Sequence, residues 1–411
     1  MKKIEPLRFG VFLAPYHSDD ENPTLQIRQD LELADHLDSL GYDELWIGEH
    51  HSASFETIAS PELFIAAAAE RTRRIRLGTG VVSLPYHNPL TVADRITQLD
   101  HQTEGRVMFG VGPGQLPSDA HMFGIDVARQ REMMNESLEV LIPLLRGEVV
   151  TRKTDWFDLR DARVQLAGTG RKGIEMAVAA AVSPSGPRAA GTHGIGMLSM
   201  AASSSTGFNL LPAHWDVCEQ LAEEHGKSVD RRNWRLVVPM HLAETRERAY
   251  ADMQHGLLKL VRYFEKLGSA EMKPIRTVEA AIEQWTERGL SLLGRAVIGT
   301  PDDAIERIES LRERSGGFGT ILLLAHDAAD RHSRLNSYEL FAHAVMSEVR
   351  NANRNRHESL DWFHANSATI IGGLKKAIGQ TIDGHEKERE ARGKGVAWGD
   401  ARDLLVGEDE A

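Results

Sequence analysis

The sequence predicts an α/β fold, a (β/α)8 TIM barrel, and three observations lead to this prediction. Eight short apolar runs recur along the first 325 residues, helical patterns follow nearly all of them, and each run is continuous rather than alternating. Continuous apolar strands are typical of a parallel sheet that helices cover on both faces. An open doubly wound sheet is the alternative, but Pro113 and the missing third glycine make Gly110 to Gly114 a weak dinucleotide loop.

The first strand and helix are predicted from the N-terminal apolar pattern. Strand 1 covers about Arg8 to Ala14, and apolar residues from Ile27 to Leu40 then recur at helical spacing until Gly41 ends the pattern. The segment ELWIGEHH supplies strand 2. Ser60 and Pro61 have the chemistry of a helix start, so a second helix follows.

Residues 75 to 115 form one complete β-loop-α-β pattern. Strand 3 runs from Ile75 to Val82, Asn88 and Pro89 begin a helix, and strand 4 runs from Val107 to Val111. A crossover of this length cannot be a hairpin, so the two strands are predicted to lie parallel in one sheet.

The second half of the barrel is predicted from four more apolar runs. A long loop, GPGQLPSDAHMFGID, precedes a helix, and residues 148 to 170 are irregular and polar. Residues 244 to 294 are charged and mostly helical, so we expect an insertion or lid before strand 8, and a last barrel helix over 337 to 350. The remaining strands are placed at residues 174–180, 194–200, 235–243 and 318–325, and a helix is predicted over about residues 211 to 225.

The chain is predicted to divide near residue 350. Residues 1 to 350 form the barrel, and residues 351 to 411 form a charged helical extension that begins with the polar linker RNANRNRHES. We expect this extension to pack on a partner subunit or to be partly mobile, and a frayed tail without a role is equally open.

Composition excludes several classes of function. A net charge of -12 argues against nucleic-acid binding, which requires a basic face. The single cysteine, Cys218, excludes an internal disulfide and a cysteine-based metal cluster, which fits the cytoplasm. The apolar run after Lys2 and Lys3 is too short for a signal peptide, and no window is long enough to span a membrane.

The predicted strand ends nominate the site, because catalytic groups of such barrels lie at the C-terminal ends of the strands. Most residues there are apolar, small or hydroxylic, so the site suits an organic cofactor rather than a metal. His50 is the catalytic candidate, with Glu49 or a backbone carbonyl to orient it. His51 is predicted to be structural because neighbours on a strand face opposite ways, and His87 stays open. The predicted substrate wall is apolar: Phe12, Met122, Phe123, Met197, Met200 and Phe208.

Several of these segments resemble the bacterial luciferase-like flavin-dependent monooxygenases. The similar segments are ELWIGEHH, residues 75 to 106, FGVGPG followed by FGID, and SPSGPRAAGTHGIGMLSM, and the resemblance extends from about residue 8 to 346. Within that family, the last segment is most similar to the limonene 1,2-monooxygenase type.

The resemblance implies a barrel that binds reduced FMN, or FAD, delivered by a separate reductase that consumes NADH or NADPH. The family reacts this flavin with O2 to give a C4a-hydroperoxide, and homodimers are common in it. By motif, His50 lies beside the flavin ring, Gly80 and Val81 support the ring, often through a cis peptide, and Ser183 lies where the phosphate binds. Gly112 and Gly114 then provide clearance for the flavin.

One position departs from the family pattern. Luciferase-type members carry an arginine after strand 4 where this chain has Pro113, so a phosphate contact is expected to be lost, and Arg188 could replace it. The expected reaction is oxygenation of a small apolar substrate such as a monoterpene, with His50 setting the proton of the peroxide. The alternatives are aldehyde or ketone oxygenation, an F420-dependent oxidoreductase, and a flavin-binding protein without catalysis.

Overall fold

The computed structural model describes residues 7–170, 173–267, 274–395 and 398, apart from the side chain of Leu292. Lys2, Lys3 and the end of the predicted extension lie outside the described residues. The chain divides into two compact units, Met1–Arg350 and Asn351–Ala411. The first unit carries the strands and the candidate site.

Strands and helices alternate along the first unit. Its first half contains β1 (Arg8–Tyr16), α1 (Pro23–Leu40), β2 (Glu44–Ile47), α2 (Pro61–Arg71), β3 (Arg76–Thr79), β4 (Val82–Ser83), α3 (Pro89–Gln102), β5 (Val107–Gly112), α4 (Pro117–Met122), α5 (Gln130–Leu145), β6 (Val150–Lys153) and β7 (Asp158–Ala162). Its second half contains β8 (Glu175–Ala180), α6 (Ser185–His193), β9 (Gly196–Ser199), α7 (Ser205–Glu224), β10 (Trp234–Leu242), α8 (Arg246–Asp252), α9 (Leu257–Lys266), α10 (Val278–Glu283), β11 (Val297–Gly299), α11 (Pro301–Ser315), β12 (Thr320–His326), α12 (Arg331–Leu340) and α13 (Ser347–Val349).

Eight parallel strands close into a barrel. They pair in the order β1, β2, β3, β5, β8, β9, β10 and β12, and β12 pairs with both β10 and β1, which closes the ring. The predicted (β/α)8 fold is therefore confirmed, and the open doubly wound sheet is not adopted. All eight predicted strands correspond to strands of the barrel.

Three segments differ from the prediction. Residues 148 to 170, predicted to be irregular, contain the antiparallel β6–β7 hairpin, whose mostly exposed polar residues hid the strand pattern. The helix predicted from residue 211 begins at Ser205, because the Ser204 side chain accepts a hydrogen bond from the Gly207 N–H. The predicted linker after residue 350 is mostly helix, since the second unit contains α14 (Arg354–Ala391).

Side chains alternate between the barrel interior and the layer beneath the helices. On β1, Phe9, Val11 and Leu13 belong to the outer hydrophobic cluster, whereas Phe12 and Ala14 belong to the inner one. This period of two is the geometry of a strand, and it decides which residues can reach the mouth of the barrel.

The described part of residues 244 to 294 lies against the mouth of the barrel. On α9, the ring of Tyr263 stacks on Phe55 with centroids 4.3 Å apart, and Phe264 contacts Tyr16 at 5.7 Å. Lys259 forms an ion pair of 2.9 Å with Asp20, in the loop after β1. Residues 268 to 273 of the predicted insertion lie outside the described residues.

Among the described residues, each helix is too short or too polar to cross a bilayer.

The buried residue His326 at the end of β12 makes stability depend on pH. Burial, with His241 and Arg334 nearby, lowers the pKa of His326 to about 3. The unfolded chain binds a proton at this residue near pH 6.5 and the folded chain does not, so stability falls as pH drops below that value. We expect a loss of about 2 kcal/mol between pH 6.5 and 5 from this residue.

Urea denaturation across this pH range measures the effect in the wild type and in His326→Gln. Glutamine does not titrate and retains an acceptor for the Ala328 N–H, which His326 Nδ1 accepts at 3.3 Å. The variant should show a shallower decline of the unfolding free energy with falling pH. Parallel curves for the two proteins would contradict the assignment.

Candidate active site

The candidate site lies at the C-terminal ends of the barrel strands. It is built from the loop after β2, the junction of β3 and β4, the loop after β5, and the turn between β8 and α6. Because the strands are parallel, these connections meet at one end of the barrel.

His50 lies between two carboxylates. Its Nδ1 is 3.0 Å from Asp119 Oδ2, and its Nε2 is 3.3 Å from Glu56 Oε2. Asp119 also accepts hydrogen bonds from the hydroxyl of Ser52 and the backbone N–H of His51. The imidazole is therefore held by a hydrogen bond at Nδ1 and by an ion-pair contact at Nε2.

This arrangement makes His50 a stronger base than an ordinary histidine. Burial by itself would lower the pKa of His50, but Glu56 and Asp119 raise it above its usual value. Burial raises the pKa of Glu56. Burial opposes ionisation of Asp119 too, but hydrogen bonds from His50 and Ser52 hold its pKa below the usual range. His50 can therefore hold a proton near neutral pH, with Asp119 as its ionised partner.

Glu49 organises a second cluster next to the first. Its Oε1 lies 3.0 Å from His51 Nε2 and 2.9 Å from His87 Nε2, and its Oε2 accepts the Ser83 N–H at 3.1 Å. Burial would raise the pKa of Glu49, but the hydrogen bonds from the two histidines lower it. His87, whose role the sequence leaves open, therefore makes a structural contact with a buried carboxylate.

The orienting role predicted for Glu49 belongs to other residues. Glu49 contacts His51 and His87, whereas Asp119 and Glu56 hold the ring of His50. The prediction assumed that strand 2 continues through the histidines, but β2 ends at Ile47. Residues 49 to 51 lie in a loop, so both histidines reach carboxylates at the mouth of the barrel, and the partner of His51 is a carboxylate.

The donor atoms of Glu49, His51 and His87 lie within 4.8 Å of one another, a separation that a metal ion could bridge. Hydrogen bonds to Glu49 already engage both imidazoles. We therefore interpret this cluster as a support for the loop.

Gly80 and Val81 form the floor of the site. The peptide bond between them is cis, as the family resemblance implies. A Cβ on Gly80 would lie 2.7 Å from the ring of Phe12, and a Cβ on Gly112 would lie 2.6 Å from Val81 Cγ2. Only glycine fits at these two positions, because the side chains of Phe12 and Val81 occupy the space that a Cβ would need.

The loop after β5 is held from behind by Gln130 and Tyr86. Gln130 Nε2 donates to the carbonyl of Pro113 at 2.9 Å and to the Tyr86 hydroxyl at 3.0 Å. Gly114 has φ +88, and a Cβ there would lie 2.3 Å from the Tyr86 hydroxyl. Gly114 is thus required both by its backbone conformation and by this contact.

Gly114→Ala tests how much this contact shapes the loop, and Gly124→Ala is its matched control. Gly124 also has positive φ, at +69, but a Cβ there meets nothing within 4 Å. Both variants are expected to lose about 1 kcal/mol of stability from backbone strain. Only Gly114→Ala should also weaken flavin binding, as measured by quenching of FMN fluorescence, and equal affinities in the two variants would contradict this.

Ser183 lies in the turn after β8, the strand that pairs with β5, and Arg188 lies on α6. The hydroxyl of Ser183 is 2.9 Å from that of Ser185, where α6 begins. Gly186 packs so closely on β8 that a Cβ would lie 2.4 Å from the Ala179 carbonyl oxygen. Arg188 is exposed on α6. Two hydroxyls at the positive end of a nine-residue helix fit the anion site that the sequence predicts.

The predicted apolar wall divides into three groups. Phe12 and Met200 pack in the inner cluster, beneath the mouth. Phe123 stacks on Tyr86 at 4.8 Å and contacts His51 at 4.9 Å, and Met122 next to it is 65% exposed. Met197 and Phe208 pack with the outer cluster instead. Leu198 faces inward on β9, so its neighbour Met197 must face outward, and neither Met197 nor Phe208 is brought to the mouth.

Sequence reasoning missed the residues that hold His50 and the glycine loop. Asp119 lies on the short helix α4 with Met122, in the same segment after β5 from which Met122 and Phe123 were nominated, so the strand-end rule was sufficient to nominate it. Glu56 follows the EHH segment by five residues. Gln130 and Tyr263 lie on helices, and no local pattern marks them.

Comparison with known proteins identifies relatives across most of the chain. A family model described as luciferase-like monooxygenase matches residues 7–317. Limonene 1,2-monooxygenase of Rhodococcus erythropolis is 49% identical over 337 residues, which cover 82% of this chain and 85% of that protein. 4-Hydroxyprotoasukamycin monooxygenase of Streptomyces nodosus subsp. asukaensis is 46% identical over 83% of this chain and 92% of that protein.

A solved structure extends the comparison to three dimensions. The oxygenating constituent of 3,6-diketocamphane monooxygenase from Pseudomonas putida, a type II Baeyer-Villiger monooxygenase in complex with FMN, superposes with a TM-score of 0.67. It is 25% identical, and the match covers 83% of this chain and 98% of that one.

Proposed function

The chain belongs to the luciferase-like monooxygenase family and is an oxidoreductase, and on that premise we propose that it oxygenates a small apolar substrate with reduced FMN and O2. The observation that carries this proposal is His50, fixed between Asp119 and Glu56 at the end of the barrel where the glycine-lined floor opens. A proton-holding group next to space for a flat ring is what flavin oxygenation needs.

The residues at the mouth fit a flavin. By the family motif, the backbone of Gly80, Val81, Gly112 and Gly114 would hold the ring, and Ser183 with the start of α6 would hold the phosphate. Arg188 is the cation on that helix. Bound reduced flavin supplies the activation of O2, and FMN is favoured over FAD by the FMN-bound relative.

The protein's own part in the reaction is to control one proton. His50, with a raised pKa, holds a proton more readily than an ordinary histidine at this end of the barrel, while Asp119 stays ionised and fixes the ring. A protonated group favours transfer of an electrophilic oxygen, which suits an alkene. The buried interior around Phe12 and Trp46 limits access of water from below.

The substrate class is inferred from the wall and from the relatives. Phe12, Val81 and Met200 contribute apolar surface from the inner cluster, and Met122 and Phe123 contribute it at the rim. Limonene 1,2-monooxygenase is 49% identical, so a monoterpene alkene is the proposed substrate and epoxidation the proposed reaction.

The supply of reduced flavin is assigned to a separate reductase that consumes NADH or NADPH. The proposed compartment is the cytoplasm, in agreement with the buried free thiol of Cys218. A homodimer is proposed from the habit of the family.

Product analysis tests the proposal. Protein mixed with photoreduced FMN, limonene and air should yield the epoxide by gas chromatography, and no epoxide should form without oxygen. Parallel reactions with a cyclic ketone and with decanal test Baeyer-Villiger and luciferase-type oxygenation. Oxidation of an alcohol with F420 but no oxygenated product with FMN would overturn the proposal.

A further inference from the structure

Glu56 lies in a loop whose backbone is fixed at several points. The His17 N–H donates to the Phe55 carbonyl at 3.0 Å, the His50 N–H donates to the Ile58 carbonyl at 3.1 Å, and Glu56 forms an antiparallel bridge with Tyr16. The loop thus holds its carboxylate in a defined position, and only 9% of Glu56 is exposed.

The two carboxylates on His50 have unequal surroundings. Asp119 accepts from Ser52 and from the backbone of His51 in addition to His50, and Glu56 receives neither of these additional hydrogen bonds. The charged groups that act on Glu56 are His50, which favours its ionised form, and Asp119, which opposes it. Asp119 is therefore the permanent anion, and Glu56 is the carboxylate that can take up a proton.

The neighbouring tyrosines do not stabilise an ionised Glu56. Burial and the charge of Glu56 raise the pKa of Tyr16, and the same two causes, with Asp119, raise the pKa of Tyr263. The Tyr263 hydroxyl is buried and has no hydrogen-bond partner among the described residues. Among the described residues, the charge that favours an ionised Glu56 in this buried pocket is the imidazole of His50.

We propose that Glu56 is a positioning residue that shares one proton with His50, so that the pair keeps this proton between Nε2 and Oε2 and out of direct contact with bulk water. The Nε2–H bond of His50 breaks as the Oε2–H bond of Glu56 forms, and the transfer reverses over the 3.3 Å between these atoms. The role in turnover rests on the proposed function, because that function assigns the proton of His50 to the reaction.

The proton sharing is tested on the full-length protein without flavin or substrate. The His50 ring is followed by NMR in protein with 13C-labelled histidine, and its signal is assigned by its loss in His50→Gln. Two coupled groups titrate in two steps, so the His50 signal of the wild type should move in two steps. In Glu56→Gln, the His50 signal should move in a single step, at lower pH. Glu62→Gln is the matched control, because it removes another buried carboxylate that acts on His87. The His50 signal of this variant should still move in two steps.

Identical titration of His50 in the wild type and in Glu56→Gln would overturn the inference. If Glu56→Gln does not fold, Glu56→Asp is measured instead. Aspartate retains the charge but places it farther from Nε2 of His50, so the titration of the His50 signal is again expected to shift to lower pH. Under the proposed function, the decline of product yield with rising pH should also move to lower pH in Glu56→Gln. A wild-type protein without any oxygenated product would count against the proposed function, while the titration alone decides the shared proton.

Discussion

Replacing His50 with Ala is expected to reduce oxygenated product by about 100-fold or more, because general acid–base groups contribute about 10² to 10⁴ in rate. The variant loses the proton held at the mouth, and Asp119 and Glu56 are left without their common partner. Consumption of O2 should continue, with hydrogen peroxide released in place of product. Product and peroxide are both measured with photoreduced FMN.

Two comparisons make this result specific. Asp119→Asn retains the imidazole but removes its ionised partner, so product should fall in the same direction. His193→Ala changes a histidine at the end of α6, away from the cluster, and should retain wild-type yield. An undiminished product yield in His50→Ala would remove His50 from the reaction.

Replacing Arg235 with Met is expected to lower the free energy of unfolding by about 3 to 5 kcal/mol. Arg235 is fully buried at the N-terminal end of the barrel and donates to Glu44 at 3.0 and 3.1 Å and to Glu175. Burial would raise the pKa of Glu175, but Arg235 and Arg76 lower it to about 2. Without Arg235, two carboxylates stay in the interior with much less compensation.

The pH dependence of this loss identifies its cause. In the wild type, Glu175 contributes stability that is present above about pH 4.5 and declines toward pH 2, since its folded pKa lies below its unfolded one. The difference between the two proteins should therefore shrink as pH falls from about 4.5 toward 2. Arg71→Met, which breaks the exposed pair with Asp35, should cost about 1 kcal/mol or less by urea denaturation. Equal losses of unfolding free energy in Arg235→Met and Arg71→Met would contradict the assignment of the larger loss to the burial of Arg235.

Strand periodicity and helix-start residues were sufficient to predict the barrel. Asn88 caps α3 as predicted, and its side chain accepts from the Leu90 and Thr91 N–H groups. The apolar runs are continuous because the interior and the layer beneath the helices are both dry. The β6–β7 hairpin was missed because its residues are mostly exposed, so hydrophobicity carries no signal there.

The sequence predicts where the candidate site lies but only part of the contacts within it. Strand ends and family motifs located His50, Gly80 and Val81, but the partner that fixes Nδ1 of His50 is Asp119, 69 residues away. Such a contact depends on how two loops meet above the barrel, which no local pattern contains. Met197 was misplaced for a different reason, because a shift of one residue along a strand changes the face to which a side chain points.

A single turnover under 18O2 tests the central proposal most directly. Protein with photoreduced FMN and limonene is mixed with 18O2 in ordinary water, and the product is analysed by mass spectrometry. One labelled oxygen atom in the product, which raises its mass by two units, is the expected result, with no label when the 18O is supplied as water. A product that carries oxygen from water, or no oxygenated product at all, would contradict the assignment of this site as a flavin-dependent monooxygenase.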